Sequence, residues 1–150
     1  MISKILVPTD GSNTAREAVK YAIDLARQLN ASLILLAVID DRSFVAQTVP
    51  AEETPTHLAE PIDDYLHEAA KKYIDEVKAM CDEKAVRSDT VIMRGHPVEG
   101  IVKEAQRSKV DLIVMGSKGR SALAAAVLGS VAYGVIHNEM KVPILLVRRA

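Results

Sequence analysis

Short runs of branched apolar residues alternate along the chain with longer segments in which apolar residues recur at helical spacing. The runs have the length of strands, and their continuous apolar character is typical of strands covered on both faces. The predicted strands are residues 4–8, 32–40, 89–95, 110–117 and 142–147. The predicted helices are residues 12–30, about 62–81, a segment opened by Pro97, and 130–140. This alternation predicts a parallel sheet with helices on both faces.

Length and composition restrict the class of protein. The chain has 150 residues, of which 49% are hydrophobic, enough for one domain with one substantial core. Lys and Arg total 19 against 20 Asp and Glu, so no global basic field favours nucleic acid. The single cysteine, Cys81, lies on the apolar stripe of the second helix, where we expect a buried, inert thiol. We expect a cytoplasmic protein without an export signal.

The segment between the second strand and the second helix has a different composition. Residues 41–61 contain three prolines, several acidic residues and no apolar periodicity. We expect a long flexible or inserted loop there, within a single domain that spans residues 1–150. Long loops are uncommon inside compact domains and are often functional, although a tolerated surface insertion is equally compatible with this composition.

Glycine-bearing turns follow two of the predicted strands. "PTDGS" ends the first strand and "MGSKGRS" ends the fourth. If these strands are neighbours, as in the order 3-2-1-4-5, both turns lie at the switch point where such sheets bind ligands. The order 2-1-3-4-5 would separate the two turns by another strand and is the alternative.

Residues 115–134 carry four of the seven glycines, but their apolar part is too short and too often interrupted to span a membrane. Glycine allows positive φ and a close approach of the backbone, so that its N–H groups can contact phosphate oxygens. Gly129 and Ser130 lie where the fourth helix is predicted to begin, and the positive end of that helix would face the same anion. Ser130 would also serve as a helix cap, and that structural role alone would explain a serine here.

The glycines form a longer pattern. Gly116, Gly119, Gly129 and Ser130 give G-x-x-G-x9-G-[ST], which resembles the nucleotide-binding signature of the universal stress protein family. "ILVPTDGS", "AVID", "GHPVEGIVKEA", "DLIVMGSKGRS" and "PILLV" extend the resemblance over nearly the whole chain. It implies a single doubly wound α/β domain, Rossmann-like or adenine nucleotide alpha hydrolase-like. The five-stranded parallel sheet would have the order 3-2-1-4-5, with four helices on two faces.

The same resemblance implies how an adenine nucleotide would contact the chain. Pro8, Thr9 and Asp10 would border the adenine and ribose. Asp10 would accept hydrogen bonds from sugar hydroxyls or help to hold a phosphate-bound metal, and no direct metal ligand is expected. Val38 would meet the adenine edge through its backbone, and Met115 would pack beside the base or ribose. Each residue also has a purely structural interpretation: Asp10 as a turn or cap residue, Val38 and Met115 as core residues.

The resemblance implies that the glycine turns bind the phosphates and that Lys118 or Arg120 steers them. Without a nucleotide, either residue would be an ordinary surface charge. The ligand would be ATP, with ADP or AMP as alternatives, and with Mg²⁺ or Mn²⁺ bound through the phosphates. The complete predicted nucleotide site is Pro8, Thr9, Asp10, Val38, Met115, Gly116, Ser117, Lys118, Gly119, Arg120, Gly129, Ser130 and Val131.

Catalytic motifs are not found. There is no G-x-x-x-x-G-K-[ST] loop, and "PTDGSN" stands where adenylating pyrophosphatases carry an S-G-G-x-D-S-type loop. The four histidines, His57, His67, His96 and His137, have no metal-ligand spacing and are expected at the surface or at helix ends. We assign no catalytic residue, and we expect any ATP hydrolysis to be slow or to depend on a partner.

The leading hypothesis is an ATP-binding regulatory or stress-response protein, in which bound nucleotide changes the surface presented to an unidentified protein partner. A slow ATPase or adenylate-transferring enzyme is one alternative, and a nucleotide-independent dimeric scaffold is another.

The predicted last strand would present unpaired backbone groups at a sheet edge. The resemblance implies a homodimer through that strand, from Val142 to Val147.

Overall fold

A five-stranded parallel sheet organises the molecule, as seen in a computed structural model that describes residues 1–40, 56–118, 128–139 and 141–148. The strands are β1 (Lys4–Pro8), β2 (Ser32–Ile39), β3 (Ser88–Arg94), β4 (Leu112–Gly116) and β5 (Ile144–Val147). The helices are α1 (Asn13–Leu29), α2 (Thr56–Glu83), α3 (Pro97–Arg107) and α4 (Ser130–Asn138). In the described part of the chain, strands and helices alternate as the periodicity predicted.

The strand order is β3-β2-β1-β4-β5, which confirms the predicted order 3-2-1-4-5. Leu6 of β1 is in register with Ile34 of β2 on one side and with Ile113 of β4 on the other. All four strand pairs are parallel. The alternative order is therefore wrong, and the two glycine-bearing turns follow neighbouring strands.

Each face of the sheet has its own core. On one face α1 and α2 pack on residues such as Val7 and Leu35, and on the other α3 and α4 pack on residues such as Leu6 and Leu36. Neighbouring residues along one strand thus enter different cores, which explains the continuous apolar runs. Cys81 is completely buried in the first core, as predicted, and burial raises the pKa of its thiol.

The ends of α1 follow the predicted signals closely. The Ser12 hydroxyl accepts a hydrogen bond from the Ala15 N–H at 3.1 Å and so caps the first turn. At the other end Asn30 adopts a left-handed conformation with φ 54°, and its N–H donates to the Ala26 carbonyl. These caps account for a helix whose bounds agree with the predicted segment, residues 12–30.

The predicted loop at residues 41–61 is wrong in its last part. Residues 41–55 lie outside the described residues, but α2 already begins at Thr56 and includes Pro61. A proline inside a helix removes one main-chain donor and often bends or ends the helix, which is why a boundary after Pro61 was expected. Here Pro61 lies in the second turn of a 28-residue helix, whose remaining length follows the predicted apolar stripe.

The fourth helix ends earlier than predicted, at Asn138 rather than at residue 140. Glu139 has extended backbone angles, φ -87° and ψ 116°. Its carboxylate accepts hydrogen bonds from the N–H groups of Lys141 and Val142, at 3.0 and 3.1 Å. This turn directs the chain into β5 and explains the early end of the helix.

The glycine-rich segment, residues 115–134, divides between the end of β4 and the start of α4. Its central residues, 119–127, lie outside the described residues. Within the described part of the chain, no helix combines the length and the apolar character that a membrane span requires.

Candidate functional site

The turn after β1 is fixed by its own polar groups. Asp10 accepts a hydrogen bond on Oδ1 from the Ser12 N–H at 2.9 Å, and Gly11 between them has φ 80°, a left-handed angle that glycine adopts without strain. The Thr9 N–H donates to the Leu36 carbonyl at 2.8 Å, which continues the β1–β2 pairing. The turn therefore holds Asp10 at the carboxyl edge of the sheet.

Gly116, at the end of β4, permits a close contact with α1. A Cβ atom at this position would lie 2.8 Å from Thr14 Cγ2 and 3.1 Å from the Thr14 carbonyl oxygen, closer than ordinary packing allows. Among the described glycines only Gly11 and Gly95 have positive φ, so Gly116 serves through the close approach of its backbone and not through a left-handed conformation. The requirement for glycine there comes from the approach of β4 to the first turn of α1.

The two ends of the glycine pattern meet in space. The Gly129 N–H donates to the Ser117 carbonyl at 2.6 Å, and the Ser117 N–H donates to the Val147 carbonyl of β5 at 3.0 Å. Ser117 is buried, and both of these hydrogen bonds are made by its backbone. Gly119 and Arg120, which were predicted to turn the chain and to steer the phosphates, lie outside the described residues.

The start of α4 differs from the prediction in one respect. Gly129, and not Ser130, is the N-cap residue, with φ -71° and ψ 156°, so the prediction of Ser130 as the cap is wrong. The reason is that Gly129 still has an extended backbone conformation while its carbonyl already accepts the first helical hydrogen bond. The donor of this bond is the Tyr133 N–H, at 2.9 Å. Among the residues that the structure describes, no side chain caps this terminus, and its first turn contains no acidic residue.

An uncapped terminus of this kind can bind an anion. The N–H groups of the first helical turn have no acceptor within a helix, and the helix dipole places partial positive charge beside them. In α4 these groups belong to Ser130 and the residues that follow it, and Ser130 itself is exposed. Phosphate oxygens are the natural acceptors for such a terminus.

Two adjoining cavities lie at this edge of the sheet. The larger is a cleft of about 1120 Å³ and the smaller has a volume of about 70 Å³. Asp10, Val38 and Val131 line both cavities. The predicted site residues that line one or both are Pro8, Thr9, Asp10, Val38, Met115, Gly116, Lys118, Gly129, Ser130 and Val131. Residues from distant parts of the sequence are thus brought together around one opening.

Several residues that line the cleft were not predicted from the sequence. Leu66 and Tyr73 contribute from α2, and His96, Val98 and Lys103 contribute from α3. His96 also caps α3, because its Nδ1 accepts a hydrogen bond from the Val98 N–H at 3.2 Å. Its position directly after β3, before Pro97, was a signal that could have placed it at the same edge as the glycine turns. The residues of α2 carried no such signal, since they belong to an ordinary apolar stripe.

The described residues do not form a metal cage. No group of three or more His, Cys, Asp or Glu side chains lies close enough together, in the ranges that the structure describes, to hold a metal ion. Asp10 has one carboxylate oxygen engaged by the Ser12 N–H.

The fold and the motif have counterparts in known proteins. The family model described as "Universal stress protein family" matches residues 1–148. The chain belongs to the universal stress protein family. Universal stress protein MJ0531 of Methanocaldococcus jannaschii is 38% identical over 149 residues, which cover 99% of this chain and 84% of that relative.

Solved members of the family share the architecture. The structure of MJ0577, another universal stress protein of Methanocaldococcus jannaschii, superposes with a TM-score of 0.86 at 33% identity, and covers 100% of this chain and 98% of that one. A universal stress protein in complex with cAMP has a TM-score of 0.67 at 24% identity, and the match covers 97% of this chain and 96% of that one. The family member from Archaeoglobus fulgidus in complex with dAMP has a TM-score of 0.67 at 15% identity, with 98% of each chain covered. The last two likenesses show the fold alone.

Proposed function

We propose that this chain binds ATP at the carboxyl edge of its sheet and that the nucleotide acts as a regulatory ligand. The observation that carries the proposal is the convergence of the β1 turn, the end of β4 and the uncapped start of α4 around two adjoining cavities. The solved family members in complex with cAMP and dAMP support the choice of an adenine nucleotide, since they share the fold.

In the proposed complex the adenine and ribose lie near the smaller cavity. Val38 and Met115 form apolar parts of its wall, and Pro8, Thr9 and Asp10 border it. Apolar walls with a few polar groups are typical of sites that recognise a base. The volume of about 70 Å³ implies that the base extends into the adjoining cleft or that side chains move on binding.

The phosphates lie at Gly129 and Ser130 in this proposal. The uncapped first turn of α4 supplies N–H donors, and Lys118 lines the neighbouring cavity with a cationic side chain. Mg²⁺ or Mn²⁺ would be bound through the phosphate oxygens, with Asp10 as the nearest candidate carboxylate. ADP and AMP would make fewer of these contacts, so we expect ATP to bind most tightly.

A regulatory role is supported by the position of α4. This helix begins at the proposed phosphate site and exposes Tyr133 and Ile136, whose exposed fractions are 62% and 43%. A change at the start of α4 on nucleotide binding would therefore alter an exposed apolar surface that a protein partner can contact. We propose that this surface distinguishes the ATP-bound state from the empty state in the cytoplasm.

We also propose a homodimer through β5. Ile144, Leu145, Leu146 and Val147 are all only partly buried in the single chain, and β5 is the edge strand beside β4. Pairing of two copies would satisfy the open backbone groups and cover these side chains. Light scattering at micromolar concentration should give twice the chain mass of 16.3 kDa, and a monomer would contradict this part of the proposal.

Isothermal titration of nucleotide-free protein with Mg-ATP tests the proposed function. We expect binding at concentrations below those of ATP in cells, with weaker binding of ADP and AMP. No measurable binding would contradict the proposal and favour a nucleotide-independent scaffold. Steady release of ADP that disappears in Asp10→Ala would instead favour a slow ATPase.

A further inference from the structure

The cleft continues beyond the proposed phosphate site, along the groove between α3 and α4. Val98, Val102 and Gln106 line it from α3, and Gly134 and Asn138 line it from α4. From Ser130 to Asn138 the helical rise corresponds to about 12 Å. The groove therefore starts where the proposed nucleotide ends, and it is part of the same cleft of about 1120 Å³.

The floor of this groove is apolar and closely packed. A Cβ atom on Gly134 would lie 2.6 Å from Val98 Cγ2, so α3 and α4 are in direct contact at this level. Val102 lies one helical turn further along α3 and also lines the cleft. An apolar floor of this kind can accept the flat face of a base or of another ring.

The rim of the groove carries polar groups. Asn138 donates through Nδ2 to the Gly134 carbonyl at 2.7 Å, which fixes the side chain and leaves its amide oxygen as an acceptor. Gln106 supplies a second amide, and Lys103 supplies an ammonium group. Within the ranges that the structure describes, Lys103 forms no hydrogen bond or ion pair, so its charge is available to a ligand.

We propose that this groove binds the second nucleoside of an adenine dinucleotide, whose phosphate chain runs from Gly129 and Ser130 towards Lys103. The inference rests on the proposed function, because it extends the same ligand from the same phosphate site. The two amides suit base edges or ribose hydroxyls, the apolar floor suits a base, and the ammonium suits a phosphate. A mononucleotide leaves this part of the cleft empty, whereas a dinucleoside polyphosphate occupies it.

The test compares ATP with diadenosine tetraphosphate by isothermal titration of the full-length, nucleotide-free protein. We expect diadenosine tetraphosphate to bind about tenfold more tightly than ATP, since it adds contacts along the groove. Lys103→Gln should weaken the binding of diadenosine tetraphosphate about fivefold, as is typical of an exposed charge contact. The same substitution should change the affinity for ATP by less than about twofold. Lys72→Gln is the matched control, because Lys72 is an exposed lysine on α2 that does not line the cleft.

The possible outcomes separate this inference from the proposed function. If ATP binds but diadenosine tetraphosphate binds no more tightly, the groove is not a nucleoside site and the proposed function stands. If Lys103→Gln weakens both ligands equally, Lys103 contacts the mononucleotide and the inference is overturned. If neither ligand binds, the proposed function itself fails.

Discussion

The starts of α1 and α4 lie at the same edge of the sheet, after neighbouring strands, yet their polar groups are used differently. At α1 the Ser12 hydroxyl accepts from the Ala15 N–H, and Asp10 accepts from the Ser12 N–H. At α4 the cap residue is Gly129, which has no side chain to accept a hydrogen bond. A side chain of the first terminus caps one of its free N–H donors, whereas no described side chain caps the second, whose donors we propose to bind a ligand. The start of a helix at a switch point thus indicates an anion site only when it is known whether a side chain already caps its N–H groups.

The two termini are connected through the end of β4. Gly116, at the end of β4, approaches the first turn of α1 at Thr14 so closely that no larger residue fits. The chain then continues from Gly116 to Ser117, whose carbonyl accepts from the Gly129 N–H. The capped terminus therefore supports the backbone that positions the uncapped one.

Among the substitutions that test the difference between the two termini, Gly129→Val should have the largest effect, which is on the affinity for Mg-ATP. The backbone angles of Gly129, φ -71° and ψ 156°, are accessible to valine, so the fold should be retained. The valine side chain would crowd the proposed phosphate site, and we expect the affinity for Mg-ATP to fall at least about a hundredfold. Isothermal titration measures the affinity, and thermal unfolding followed by circular dichroism checks the fold.

The matched control for this substitution is Gly129→Ala, which adds one methyl group and should weaken ATP binding less. If the valine variant binds ATP as tightly as the wild type, the phosphates do not lie at the start of α4.

Gly116→Ala should lower the free energy of unfolding by about 1–3 kcal/mol, since the new Cβ would overlap with Thr14. Urea unfolding measures this change. In the double variant with Thr14→Ser, the nearest atom, Cγ2, is removed, and part of the loss should be recovered. Equal losses in the single and double variants would show that Thr14 Cγ2 is not the cause.

Ser12→Ala should lower stability and leave the affinity for ATP nearly unchanged, the reverse of what we expect for Gly129→Val. Loss of the cap at α1 should cost about 1 kcal/mol of stability, while the affinity for ATP changes by less than about twofold. Urea unfolding and isothermal titration on the same preparation measure the two quantities. Ser12→Asn, which retains a capping group, serves as the control. A large loss of ATP affinity in Ser12→Ala alone would mean that the capped terminus also contacts the nucleotide.

Asp111, at the opposite edge of the sheet, should give the smallest effect. Its carboxylate accepts hydrogen bonds from the Ser3 N–H and hydroxyl and from the Lys4 N–H, which lower its pKa below the ordinary value. A lowered folded pKa stabilises the fold at pH values above the unfolded pKa, and this contribution is lost as the pH falls through the folded pKa. We therefore expect Asp111→Asn to reduce stability slightly at pH 7, and we expect this difference to disappear as the pH falls from the ordinary aspartate pKa of about 3.9 through the lowered folded pKa.

Urea unfolding of the wild type and Asp111→Asn across this pH range measures the difference between them. The effect is small because the carboxylate is exposed to solvent. A difference that stays constant with pH would show that the ionised carboxylate is not responsible.

Much of the fold followed from local patterns. Continuous apolar runs indicated strands covered on both faces, and Ser12 and Asn30 marked the ends of α1 because capping is a local interaction. The order of the strands was inferred from the glycine turns at the ends of β1 and β4, and the structure confirms it. The beginning of α2 was missed, since Pro61 appeared to interrupt a helix that in fact starts at Thr56.

The candidate site was predictable only in part. The motif identified Gly116, Gly129 and Ser130, but the contact of Gly116 with α1 was not foreseen and the cap assigned to Ser130 was wrong. Gly116 is required by the approach of Thr14, and Ser130 follows the cap residue instead of forming it. The contributions of α2 and α3 to the cleft depend on how these helices pack on the sheet.

By itself the sequence determined the alternation of strands and helices, the caps of α1 and the glycine signature, since periodicity, capping and turn chemistry act between residues that are close along the chain. Only the tertiary structure decided that β4 lies against the first turn of α1, that Ser117 meets Gly129, and that the cleft continues between α3 and α4. These features depend on packing between elements that are far apart in the sequence, where the backbone of one element approaches the backbone of another.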